Sequence, residues 1–235
     1  MALAPGLWLD ARRAVWLPEQ ETLAVSDLHL GYAWSHRASG NLLPVEVDDG
    51  TIRRLRELVD DYQPREVAVL GDVVHGFTAP AQVRDELRRL AAEIGGHTRL
   101  RLLMGNHDLW LPELIAEAGL ELAVESEMMC GPHLLLHGHV GDDAAARLET
   151  ARGKGGRVIF GHEHPSLMLS AGVGTKARCP CFLVAAEALV LPAFSTWAAG
   201  TNISSGDFMS PFAQAVRFHH AMAIVAGKLL PVPLR

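Results

Sequence analysis

The segment "RVIFGHEHPSL" sets His162 and His164 two residues apart at the end of an apolar run, with Pro165 expected to stop the strand. In extended chain, residues i and i+2 point to the same side. Two imidazoles aimed together do not suit a packed core, but they do suit a metal ion. Four more apolar runs end in polar, metal-competent residues. "ETLAVSDLH" ends in Asp27 and His29, and "REVAVLGDVVH" ends in Asp72 and His75. "TRLRLLMGNHD" ends in Asn106, His107 and Asp108, and "GPHLLLHGH" ends in His137 and His139. Imidazole mixed with carboxylate suits zinc, iron, nickel or manganese; it is poor for calcium and wrong for a thiolate zinc site. The donors outnumber what one four-coordinate ion needs. Two ions about 3.5–4 Å apart, sharing one carboxylate, would use the surplus.

Such donors meet only if the strand ends do. In α/β sheets that happens at the carboxyl ends of the strands. Between the first runs, "DDGTIRRLRELVDDY" carries Ile52, Leu55, Leu58 and Val59 at helical spacing, with Asp48 and Asp49 placed for its N-cap. "PAQVRDELRRLAAEIGG" predicts a second helix with Val83, Leu87, Leu90 and Ala91 inward and Gly95 as its stop, and "LPELIAEAG" a short third. Strands alternating with helices predict an α/β fold with partly parallel sheet. After residue 165, "SLMLSA", "CFLVAAEALVLPAFS" and "AMAIVAGKLLPVPL" read as strands joined by tight turns. With no linker or repeat between the halves, residues 1–235 are expected to form one domain.

The chain has 235 residues, 49% hydrophobic and 20% charged, enough to bury a sizeable core. No apolar run reaches the length of a membrane span, and "MALAPGLWLDARR" reads as the start of the fold and not as a signal peptide. Cys130, Cys179 and Cys181 make an odd count, which fits a reducing cytoplasm better than a disulfide framework. "RCPCF" lacks a second cysteine pair for zinc and reads as plain strand. A net charge of −6 argues against wrapping nucleic acid by bulk charge, although it leaves room for a local basic groove. The arginine clusters, such as Arg53, Arg54 and Arg56, lie near acids and read first as solvated helix faces.

"DLH" at 27–29, "GDVVH" at 71–75, "GNHD" at 105–108, "HGH" at 137–139 and "GHEH" at 161–164 resemble, in that order, the signature of the calcineurin-like metallophosphoesterases. "SDLHLGY", "RASGNLLP", "GHEHP" and "VLPAFSTWAAG" narrow the resemblance to the bacterial and archaeal ligase-associated (PdeM-type) group. It implies a four-layer α/β/β/α sandwich of two mixed sheets. It also implies two divalent ions, manganese first, with zinc, iron or magnesium as alternatives. By resemblance, Asp27, His29 and His164 would hold one ion and Asn106, His137 and His162 the other, with Asp72 bridging. A bridging hydroxide would attack phosphorus in line, and His107 would assist the leaving group.

The implied function is a phosphodiesterase, a nuclease in DNA repair with a DNA ligase or helicase partner. A phosphomonoesterase or nucleotide hydrolase, or a metal-stabilised module without catalysis, are the alternatives. The GDxxH form puts His75 where many members have Asp, and its imidazole is expected to hold His107. Asp108 is expected to cap the third helix or support His107. Arg37, with His36 in a polar loop, could meet a substrate phosphate or stay solvated. Trp34 could stack a base or anchor packing. His139 could line the pocket or face solvent.

Overall fold

A computed structural model describes residues 1–41, 50–170, 174, 176–198 and 200–234; Asp48 and Asp49 lie outside them. Along each strand, alternate side chains go to different cores, and that period of two defines the layers. The first sheet runs in the order β1 (Ala2–Ala4), β2 (Leu7–Asp10), β3 (Ala14–Leu17), β4 (Thr22–Val25), β5 (Glu66–Val69), β6 (Arg99–Leu103) and β7 (Val124–Glu125). Its first three pairings are antiparallel and its last three parallel, so the sheet is mixed. Leu23, Val25, Val67 and Val69 face outward onto helices, whereas Ala24 and Ala68 between them face inward.

The outer helices are α2 (Thr51–Tyr62), α3 (Pro80–Ile94) and α4 (Leu111–Glu117); α1 (Tyr32–Ala38) precedes them. Leu55 and Leu58, then Val83, Leu87 and Leu90, form the apolar stripes expected from their spacing, with Ile94 taking the last inward place instead of half-buried Ala91. A helix at α1 was not expected. It carries no buried residue, so no apolar stripe announces it.

The second sheet contains β8 (Glu127–Cys130), β9 (His133–Leu136), β10 (Val158–Phe160), β11 (Pro165–Ser170), β12 (Lys176–Val184), β13 (Ala188–Val190) and β14 (Thr201–Asn202). Their order is β14-β11-β12-β13-β10-β9-β8, and the hairpin of β15 (His220–Val225) and β16 (Lys228–Pro233) joins at β12. Strands β9, β10 and β13 run parallel while β11, β12 and β13 are antiparallel, which makes this sheet mixed as well. Leu134, Leu136, Val158 and Phe160 pack outward against α5 (Ala144–Gly153) and α6 (Pro211–Gln214). Leu135 and Ile159 point the other way, to meet Leu7, Leu9, Ala24 and Leu103 in a core between the sheets. The architecture is therefore the expected α/β/β/α sandwich. Pro165 does not stop a strand; it opens β11, where Pro tolerates the first position. Cys130, Cys179 and Cys181 are free and buried. No helix among the described residues is long and apolar enough to cross a membrane.

Candidate metal centre

Parallel, in-register pairing carries the donors to one place. Val25 pairs with Val69 and Val69 with Leu102, so β4, β5 and β6 end level. Leu136 pairs with Phe160, so β9 and β10 do the same in the other sheet. The segments beyond β4 and β5 are then zipped by backbone: His29 N–H donates to the Asp72 carbonyl at 2.9 Å and Leu30 N–H to the Val73 carbonyl at 2.9 Å.

His162 and His164 reach the cluster differently from the extended-strand expectation. Strand β10 ends at Phe160, and both histidines adopt left-handed backbone, with φ of 67° and 45°. Asp27, His29 and Asp72 do likewise, at 57°, 49° and 48°. Non-glycine residues rarely take this conformation, which costs of order 1–3 kcal/mol and gathers at functional sites. Nine described non-glycine residues have positive φ, and five of them are these candidate donors. Close approach needs bare glycines beside them. A Cβ on Gly105 would stand 2.2 Å from the Asp72 amide nitrogen, and one on Gly161 would stand 2.5 Å from Asp27 Oδ2.

Two sets of donors result. Asp27, His29, Asp72 and His164 offer atoms within 4.8 Å of one another. His164 Nε2 lies 3.2 Å from Asp27 Oδ1 and 3.4 Å from His29 Nε2. In the second set, His137 Nε2 lies 3.1 Å from Asn106 Oδ1 and 3.2 Å from His162 Nδ1. The His137 Nδ1–H donates to the Leu70 carbonyl at 2.9 Å, which fixes the tautomer and turns the Nε2 lone pair inward. Asp72 stands between the sets. Its Oδ1 is 3.4 Å from His137 Nε2 and its Oδ2 is 3.9 Å from His29 Nε2. Ring nitrogens gathered this closely around two carboxylates are a donor set that a divalent cation fits.

Two of the rings are held neutral, whereas His164, against the effect of its burial, is raised by Asp27. Burial, reinforced by neighbouring rings against the pull of Asp27, pushes His29 down to about 3. Burial and His137 push His162 down to about 4. Both rings are neutral at ordinary pH, as ligands must be. Burial alone would raise Asp27, but the His164 imidazole holds its carboxyl well below the usual range.

His29, His75 and His107 also converge within 4.8 Å, although with no carboxylate among them. The His107 Nδ1–H donates to the backbone carbonyl of His75 at 3.0 Å, and its own N–H donates to Asp72 Oδ1 at 3.0 Å. His75 therefore holds His107 by its carbonyl and not by the expected imidazole; the two rings only stack, 5.3 Å apart. The Asp108 carboxylate neither caps α4 nor touches the His107 ring. It accepts N–H bonds from Val73, Val74 and Gly105 at 3.2, 3.0 and 2.9 Å, tying the segment after β5 to that after β6.

The remaining candidates lie at the rim. His36 and Arg37 sit on α1 and not in a loop. The exposed Arg37 guanidinium stands 6.0 Å from the Trp34 ring, and no contact among the described residues joins it to the donors. His139 packs 5.2 Å from the His137 ring, with its buried Nδ1 unpartnered. Sequence reading passed over Arg13 and Arg178, which share a pocket with His164. No spacing could have signalled them, because they stand on β12 and in the turn before β3.

Two mixed sheets sandwiched by helices, with paired His/Asp donor sets at their strand ends, define a metal-dependent phosphoesterase. The chain belongs to the calcineurin-like phosphoesterase family, whose model matches residues 21–166, more than half its length. Among solved structures it is similar to the nuclease MPE of Pseudomonas putida, at 23% identity with a TM-score of 0.66, over 96% of this chain and 94% of that one. A phosphoesterase from E. coli, Yfce, is a more distant likeness at 18% identity and a TM-score of 0.36, over 73% of this chain and 77% of that one. No curated protein sequence matches the chain.

Proposed function

We propose that this chain, acting as one domain over residues 1–235, is a two-metal phosphodiesterase that cuts nucleic acid. The observation that carries the reading is Asp72, whose two carboxylate oxygens face opposite donor sets. Asp27, His29 and His164 would hold one cation, Asn106, His137 and His162 the other, and Asp72 both. Two divalent ions, manganese first, supply Lewis acidity that makes hydroxide available near neutral pH and offsets charge on the phosphoryl oxygens.

The chain's own groups supply position and a proton. His107 is pinned by its main-chain N–H on Asp72 and by its Nδ1–H on the His75 carbonyl, which leaves Nε2 to face a substrate. A protonated Nε2 can donate to the departing alkoxide. His75 is a positioning residue through its carbonyl. Nuclease action draws support from the likeness to a nuclease over nearly the whole chain. A DNA-repair setting and a ligase or helicase partner rest on the motif resemblance alone, and a cytoplasmic location on the three unpaired cysteines.

The test is hydrolysis by metal-free protein reconstituted with manganese, offered a chromogenic phosphodiester, its monoester counterpart, and single- and double-stranded DNA. His107→Ala should lower kcat about 10²- to 10⁴-fold while binding as much manganese as the parent. Preference for the monoester would move the assignment to a phosphomonoesterase. Manganese binding with no turnover of any substrate would leave a non-catalytic module.

A further inference from the structure

A pocket of about 240 Å³ opens beside His164, walled by Arg13, Arg178, Ser166, Pro180 and Thr196. His164, one of the candidate donors, forms part of its wall, so the pocket adjoins the donor cluster. It is smaller than the ~300 Å³ at which pockets for drug-sized ligands begin, so it suits a phosphate with part of a sugar.

Its charge is one-sided: Arg13, Arg178 and His164 are the ionisable groups lining it, with no carboxylate among them. Among the described residues, Arg12, Arg56, Arg65, Arg84, Arg88, Arg101, Arg147 and Arg152 make ion pairs with Asp or Glu. Arg13 and Arg178 do not do so among the described residues. Arg13 Nη1 donates to the Ala193 and Ser195 carbonyls at 2.9 and 2.6 Å, and Arg178 Nη1 donates to the Gly200 carbonyl at 2.7 Å. Carbonyls aim these side chains without neutralising them. For the half-buried Arg13, a guanidinium with no counter-charge is costly unless an anion completes it; the exposed Arg178 adds a second planar fork, which matches a phosphate with two parallel bonds. The molecule is acidic overall, at −6, so a polyanion gains nothing from bulk attraction and depends on such local positive charge.

We propose that the Arg13–Arg178 pocket is a subsite for the phosphate adjacent, along a polynucleotide, to the one being cleaved. The proposal rests on the nucleic-acid reading above and deepens it: the preferred substrate is a strand with at least two consecutive phosphates, not a small lone diester.

The test compares kcat/KM on bis(p-nitrophenyl) phosphate, which has a single phosphate, with kcat/KM on a short single-stranded oligonucleotide, for the manganese-loaded parent and Arg178→Ala. The Arg178 side chain is exposed, so its removal is compatible with folding. The oligonucleotide loss should exceed the loss on the small diester by about tenfold or more, as for a charged hydrogen bond. The slope of log affinity against log salt should shrink by about 0.7 for the single strand, whereas Arg65→Ala, an exposed arginine elsewhere, should leave it alone. A neutral methylphosphonate at the flanking position should cost the parent more than it costs the variant, which keeps only Arg13 to meet that charge. Equal losses on both substrates, or oligonucleotide cleavage indifferent to Arg178, would overturn the subsite and leave the nuclease reading standing. Turnover of the small diester with no cleavage of any polynucleotide would overturn both.

Discussion

Five of the seven candidate donors give up something to be where they are. Asp27, His29, Asp72, His162 and His164 bend into left-handed backbone, and His29 and His162 hold buried, neutral rings. In the unfolded chain such rings take up protons near pH 6.5; folded, they resist until about 3 for His29 and about 4 for His162. At these two rings the unfolded chain therefore binds more protons across that interval, so their contribution to stability falls as acid is added and outweighs the opposite contribution of Asp108. The urea midpoint of the metal-free protein is expected to decline steadily from pH 6.5 toward 4. A flat midpoint would mean that these rings stay protonated in the native state. The candidate donors could be picked out because few chains place imidazole and carboxylate after five consecutive apolar runs. How His162 and His164 turn was not legible. Two residues apart suggests an extended pair, and only the tertiary demand to face Asp27 and His137 explains the left-handed turns that replace it.

Helices announced themselves in proportion to what they bury. α2 and α3 each lay a continuous apolar stripe on the first sheet, so their spacing was readable. α5 buries only Ala144, Leu148 and Ala151, and α1 buries nothing, so neither stood out from polar loop. The segments between elements were least readable, although they set the site. Asp108 illustrates this, because its three backbone partners come from two segments more than 30 residues apart in sequence. Burial raises its carboxyl to about 6, against the opposing pull of those N–H groups. Asp108→Asn can keep an oxygen on one side only and must set an amide N–H against a backbone N–H on the other. The expected cost is about 1–3 kcal/mol, read by chemical denaturation, with manganese affinity weakened because Asp72 and Asn106 flank the joint. Gly105→Ala should be harsher, since its Cβ would lie 2.2 Å from backbone nitrogen and not from a movable side-chain tip. If either variant bound manganese like the parent, these segments would be dispensable to the site.

At the scale of the whole molecule, the donors are divided between the two sheets. Asp27, His29, Asp72 and Asn106 follow strands of the first, and His137, His162 and His164 follow strands of the second. The sheets already share an apolar core through Leu7, Leu9, Leu135 and Ile159, so they are joined with or without cations. Cations bound across the divide would fasten that joint at its polar end, where like-facing ring nitrogens and buried carboxylates otherwise oppose one another. Binding the native state alone stabilises it by mass action, about 2.7 kcal/mol with free ion at a hundred times its dissociation constant. For a chain of this size that corresponds to a rise in Tm of roughly 5–10 °C. Because one centre would serve both sheets, amide exchange in β5 and in β10 should slow together on adding manganese. Slowing confined to β5 would place the cation within the first sheet's donors alone and remove His137 and His162 from its coordination.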